Sequence, residues 1–143
     1  MPETFDSYTF DVRGLLAWSK SSGNQFAVAK ADIDSGSMRV FSCAYNEFCK
    51  VYDDEAKNLK GIKFKKESLT EEHRESILAV AESAQATFGL KGPYDKAVEW
   101  QIAGAASCEG LIVVTDERGK TRYSKIDGIV AITFDEFLNR HEV

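Results

Sequence analysis

Apolar and polar positions alternate at the start of the chain: Tyr8, Phe10 and Val12 are separated by Thr9 and Asp11. That period of two predicts a short strand. Residues 13–36 follow with a helical pattern broken near Ser21–Gly23. Met38, Val40 and Phe41 predict a second short strand. In residues 46–59, NEFCKVYDDEAKNL, a rough apolar stripe of Phe48, Val51, Ala56 and Leu59 predicts a helix. KGIKFKKE, at 60–67, is basic and unpatterned.

Residues 68–89 predict a long helix. Ser68 and Glu71 are spaced as a capping box, Ile77, Val80, Ala81, Ala84 and Phe88 form the buried face, and Gly89 is its stop. Residues 92–110 predict a second strong helix, with Asp95 as a candidate cap and Val98, Ile102 and Ala105 on one side. LIVVT, at 111–115, is continuously apolar and reads as a buried strand. A charged loop is expected from there to Lys125. GIVAIT, at 128–133, predicts another buried strand. TFDEFLNRH closes as a short helix, with Thr133 and Glu136 as a capping box.

Strands alternate with helices, and two strands lack a polar face. Such strands are buried on both sides, which predicts a three-layer α/β/α sandwich around a central, mainly parallel sheet. At 143 residues the chain suits one domain spanning 1–143, and no linker, repeat or low-complexity tract divides it.

Composition narrows the function. No apolar run approaches the ~20 residues of a membrane span. The N-terminus, MPETFDSYTF, lacks the basic start and apolar stretch of a secretory signal, so a cytoplasmic protein is expected. Cys43, Cys49 and Cys108 show no metal-binding spacing and are read as buried or half-buried free thiols. The formal charge of −5 argues against holding nucleic acid by bulk electrostatics. It leaves open an enzyme that meets a phosphodiester through metal ions.

The acids are the candidate chemistry. In a parallel sheet the C-terminal strand ends share one edge, where ligands bind. Asp11 lies in or just after the first strand, and is either a helix cap, an outward strand residue or a site acid. Glu47 opens the helix after the second strand, where the helix dipole alone would favour it. Glu99 is on the helix leading into LIVVT, with Asp95 one turn earlier on the same face. Asp116 and Glu117 follow LIVVT directly. Gathered together, such acids would repel one another unless they held a hard divalent cation, whose natural ligands are carboxylate oxygens.

These stretches resemble a known family. YTFDVRGLLAW, VFSCAYNEFCKVY, EWQIAGAASCEGLIVVTDE and IDGIVAITFDEFL are similar, in order and over nearly the whole chain, to the PIN domain. This is the small α/β ribonuclease fold best known from the toxin half of VapBC-type toxin–antitoxin pairs. The most specific piece is the third: an acid, two residues, Ile-Ala-small-x-Ala, a turn, an apolar strand, and threonine followed by another acid.

The resemblance implies an endoribonuclease that uses Mg²⁺ or Mn²⁺, with Asp11, Glu47, Glu99 and Glu117 as catalytic acids. Asp116 is the alternative fourth ligand, since one residue of the pair turns inward. Thr115 and Asp95 would orient those ligands by hydrogen bonds. Arg13, Lys63, Lys65 and Lys66 would meet single-stranded or looped RNA. It further implies an antitoxin partner and a homodimer, with no membrane association. Three positions depart from the family: glutamate stands at the third and fourth acids, and Arg13 where a small residue is usual. A PIN-like interaction or scaffold module without nuclease activity is therefore the competing reading. TFDVRGLL is also faintly similar to the start of haloacid-dehalogenase-type phosphatases, but Arg13 and Leu15 replace the second acid and the threonine that chemistry needs.

Overall fold

The computed structural model describes residues 6–88, 97–126 and 128–142, those at 83–88 by backbone only. Four strands, β1 (Tyr8–Phe10), β2 (Met38–Arg39), β3 (Ile112–Thr115) and β4 (Val130–Thr133), form one sheet in the order β2-β1-β3-β4. Every pairing is parallel. All three residues of β1 are buried, as expected of a central strand with helices on both faces. Eight helices are described: α1 (Val12–Lys20), α2 (Gly23–Ser35), α3 (Ser42–Val51), α4 (Asp53–Lys60), α5 (Glu71–Phe88), α6 (Val98–Glu109), α7 (Glu117–Tyr123) and α8 (Phe134–Arg140). This is the α/β/α sandwich the sequence predicts. None of the described helices is long and apolar enough to cross a membrane.

The core is aromatic around α1. Trp18 is fully buried, stacked on Phe10 at 5.7 Å and on Phe26 at 4.9 Å, and meets Phe64 edge-on at 5.4 Å. Trp100 is buried as well. Cys43 and Cys49 are half-buried, and Cys108 is exposed, contrary to expectation, because it lies at the solvent-facing end of α6. Burial pushes the Cys43 thiol up to about 11.

Several elements differ from the sequence reading. β1 ends at Phe10, with Val12 opening α1, and β4 is not buried throughout, since Val130 is exposed. The stretch 46–59 is two helices, because the backbone at Tyr52 leaves the helical region (φ −120°, ψ 59°). Helix α5 begins at Glu71, so Ser68 and Glu71 are not its capping box. Thr70 and His73 take that role: the Thr70 Oγ1 accepts from the His73 amide at 3.2 Å, and His73 Nδ1 accepts from the Thr70 amide at 3.0 Å. With Nδ1 accepting, Nε2 carries the proton and donates to Glu109 at 2.7 Å. The expected loop between β3 and Lys125 is mostly the helix α7. The capping box of Thr133 and Glu136 is present in full on α8. Gly89 and Asp95 lie outside the described residues, as do the side chains of Ala84 and Phe88.

Two glycines set how closely helices approach the sheet. A Cβ on Gly14 would collide with the Val114 carbonyl and the Phe10 ring, and one on Gly119 would collide with Thr115. Helices α1 and α7 therefore sit directly on the end of β3. Overpacking of this kind costs about 1–3 kcal/mol. Gly14→Ala is expected to lower the stability measured by urea unfolding by about that much. Gly61→Ala, where nothing lies near the added methyl, should be neutral or stabilising.

Candidate active site

The parallel register builds the site. Phe10 pairs with Val114, and Thr115 with Thr133. The residue after Phe10 is Asp11, so Asp11 stands level with Thr115 at the C-terminal edge. Asp11 has left the strand and caps α1. Its Oδ1 accepts from the Gly14 amide at 2.8 Å. Its Oδ2 accepts from the Thr115 hydroxyl at 2.8 Å and the Tyr123 hydroxyl at 3.1 Å.

Asp11 is only 2% exposed. Burial raises its pKa from 3.8 to about 6; the three hydrogen bonds oppose that shift, and the charge of Glu99 adds to it. Tyr123, a residue the sequence reading passed over, is buried beside it. Burial, reinforced by the Asp11 and Glu99 charges, holds its phenol well above the ordinary range, so it stays a donor.

Asp116 repeats the arrangement on β3. It caps α7, and its Oδ1 accepts from the Gly119 amide at 2.8 Å. The two segments read Asp11-Val-Arg-Gly14 and Asp116-Glu-Arg-Gly119. In each, the aspartate side chain folds back onto an amide three residues on, the ordinary N-cap bond. This is the sequence signal that locates Asp116, and through α7 it leads to Tyr123.

Asp116 Oδ2 also accepts from Arg13 Nη1 at 3.2 Å. The structure thus turns Asp116 toward the centre of the edge, while Glu117, in the first turn of α7, is exposed. Burial opposes the Arg13 charge. The Asp116 bond and the fields of Asp116, Glu99 and Asp11 outweigh it, and the pKa lies above the ordinary value.

Glu47 and Glu99 meet in a hollow of about 360 Å³ lined also by Val12, Arg13, Val51 and Tyr52. Glu99 is held by Arg122, Nη2 to Oε1 at 2.9 Å. Its Oε2 is buried without a hydrogen-bond partner. A buried unpartnered carboxylate oxygen is costly and marks a position that a cation or donor would satisfy.

The basic stretch is only partly near this edge. Lys66 Nζ lies over the rings of Phe64 (4.1 Å) and Tyr45 (4.6 Å), the latter on the helix that carries Glu47. Lys63 is exposed. Lys65 lines a different hollow, with Met38, Arg39 and Glu67.

Five acids were expected to share metal: Asp11, Glu47, Glu99, Asp116 and Glu117. Among the described residues, no three metal-ligating side chains stand close enough to hold one ion. The physical reason is visible in the partners: Arg13 takes Asp116, Arg122 takes Glu99, and three donors converge on Asp11. The donor set nonetheless fits a hard divalent cation in kind. It is all carboxylate oxygen, and one of those oxygens is buried and unpartnered.

No protein-family model and no curated protein sequence matches the chain. Solved structures do. DNA-bound VapBC from Salmonella typhimurium aligns with a TM-score of 0.67 over 90% of this chain and 98% of that chain, at 17% identity. VapBC2 from Rickettsia felis, bound to a DNA fragment from their promoter, aligns with a TM-score of 0.64 over 88% and 97%, at 10% identity. PAE2754 from Pyrobaculum aerophilum aligns with a TM-score of 0.60 over 94% and 96%, at 21% identity. The all-parallel sheet of order β2-β1-β3-β4 and its flanking helices thus share the PIN-like α/β/α fold of these structures.

Proposed function

We propose that this chain is a divalent-metal-dependent endoribonuclease of the PIN type and the toxin of a toxin–antitoxin pair, acting in the cytoplasm. The observation that carries the reading is the buried carboxylate of Asp11 at the C-terminal sheet edge, within the field of a Glu99 whose Oε2 has no partner. A protein rarely keeps a buried charge at a cleft without use for it. Asp11, Glu47, Glu99 and Asp116 are the residues that would hold Mg²⁺ or Mn²⁺, with Glu117 beside them on α7. The chemistry such an ion supplies is a bound water of lowered pKa and neutralisation of charge on the scissile phosphate.

The chain's own residues do the positioning. Thr115 and Tyr123 fix both the direction and the ionised form of Asp11 by donating to the same oxygen. Arg13, at the mouth of the hollow, is placed to meet a phosphate. Lys63 and Lys66 are the backbone contacts for single-stranded RNA. The VapBC neighbours support an antitoxin partner, and the family resemblance implies a homodimer.

A second reading is favoured by one observation. Asp116 and Glu99 are already neutralised by Arg13 and Arg122, as they would be in an interaction module that has lost its chemistry. Incubation with single-stranded RNA and Mn²⁺ separates the two. The nuclease reading expects products with 5′-phosphates, none in EDTA, and at least about a hundredfold loss of rate in Asp11→Asn. Intact RNA at high enzyme concentration, with no heat of Mn²⁺ binding, would leave only the module.

The same variant tests the electrostatics. In the folded protein the Asp11 pKa is about 6, against 3.8 when unfolded. A raised carboxyl pKa destabilises the fold while both states are ionised, and the penalty fades as pH falls from about 6 toward 4. Without metal, Asp11→Asn is therefore expected to be more stable than wild type at pH 7, on the order of 1–2 kcal/mol. The gap should close by about pH 4 in paired thermal melts. An Asp11→Asn variant less stable at pH 7 than at pH 4, relative to wild type, contradicts this.

A further inference from the structure

The sequence places an arginine at the same point of both capping segments, Arg13 two residues after Asp11 and Arg118 two residues after Asp116. The fold treats them oppositely. Arg118 is exposed. Arg13 turns into the acid edge, lines the hollow with Glu47 and Glu99, and bonds Asp116 across the gap between α1 and α7. We infer that Arg13 is a resident counter-cation of this edge, which holds Asp116 in place and yields it when a divalent cation enters.

Three observations carry this inference, which rests on the metal-dependent reading above. The first is geometric. One guanidinium nitrogen reaches one carboxylate oxygen at 3.2 Å, a single contact rather than the paired fork that arginine makes with a carboxylate it holds firmly. The second is exposure. The Arg13 and Asp116 side chains are 28% and 47% exposed, so water competes for both and the pair can open without burying an unpaired charge. The third is charge. Arg13 stands in the combined field of Asp116, Glu99 and Asp11, where a divalent ion would also settle, and two cations repel strongly at such separations.

Arg122 is about as exposed as Arg13, but its acid partner is less so, at 26% against 47%. Its contact with Glu99 is shorter, at 2.9 Å, and leaves Oε2 of the same carboxylate unpartnered. It can therefore stay while a metal binds. Arg13 cannot keep Asp116 if Asp116 becomes a ligand. The metal-free edge is thus kept from self-repulsion by a cation of its own, at the cost of metal affinity.

Isothermal titration of the full metal-free chain with Mn²⁺ tests this, since it reads binding and not turnover. Arg13→Gln is expected to bind Mn²⁺ about five- to tenfold tighter than wild type, the size of an ordinary coupling between sites. Arg13→Lys, which keeps the charge, and Arg118→Gln, which removes an equal charge from the exposed twin, should stay within about twofold of wild type. Thermal melts without metal check that each variant folds. The inference is overturned if Arg13→Gln binds no more tightly than wild type, or if Arg118→Gln gains as much. Wild type binding with no gain in Arg13→Gln sinks the inference and leaves the nuclease reading intact. Binding in Arg13→Gln alone sinks metal dependence of the natural chain and, with it, the claim that Arg13 yields to a cation. No binding in either sinks both.

Discussion

One buried carboxylate organises the C-terminal edge of the sheet. Asp11 takes donors from three separate elements: an α1 amide, a β3 hydroxyl and an α7 phenol. Each donor fixes where its element can sit. Gly14 lets α1 lie against Val114, and Gly119 lets α7 lie against Thr115. The close packing and the buried charge are therefore one constraint. Burial keeps that charge unfavourable, and the three donors keep it tolerable.

Strand register converts this local fact into a site. In a parallel sheet the strands end together, and here β1, β3 and β4 each end on a side chain that caps the next helix: Asp11, Asp116 and Thr133. Capping satisfies the first amides of each helix and at the same time lines polar groups along one edge. Glu47 and Glu99 join from α3 and α6, through helix placement rather than strand ends. Those two acids line a hollow, and Asp11 is buried at the strand edge beside them. Arg13 stands between the two groups.

Much of this was legible in the sequence because it depends on short-range patterns. The apolar run 111–115 and the Thr133–Glu136 box each report a local preference, and both elements formed where the pattern placed them; the alternation at 8–12 located β1, but the strand ends at Phe10, Val12 opens α1 and Thr9 is as buried as its neighbours. Helix α7 was not legible, because ERGKTRY carries no apolar stripe; it is held by the Asp116 cap at one end and by burial of Tyr123 at the other. With α7 unseen, Tyr123 had no route to Asp11. The start of α5 was misplaced because histidine at His73 closes a box usually closed by Glu or Gln. Asp116 and Glu117 are likewise set apart by the cap. The residue before a helix folds its side chain onto the helix amides, and the residue after it, in the first turn, faces water.

The ionisation of Asp11 is the quantity on which this account turns, and carbon-13 NMR of its carboxyl group reads it directly. In the metal-free protein the resonance should titrate near pH 6, as its burial dictates. With saturating Mg²⁺ the midpoint should move well to the acid side, because a bound cation favours the carboxylate. A midpoint near 3.8 without metal, or one that Mg²⁺ leaves unmoved, would contradict the claim that this edge is a buried charge awaiting a cation.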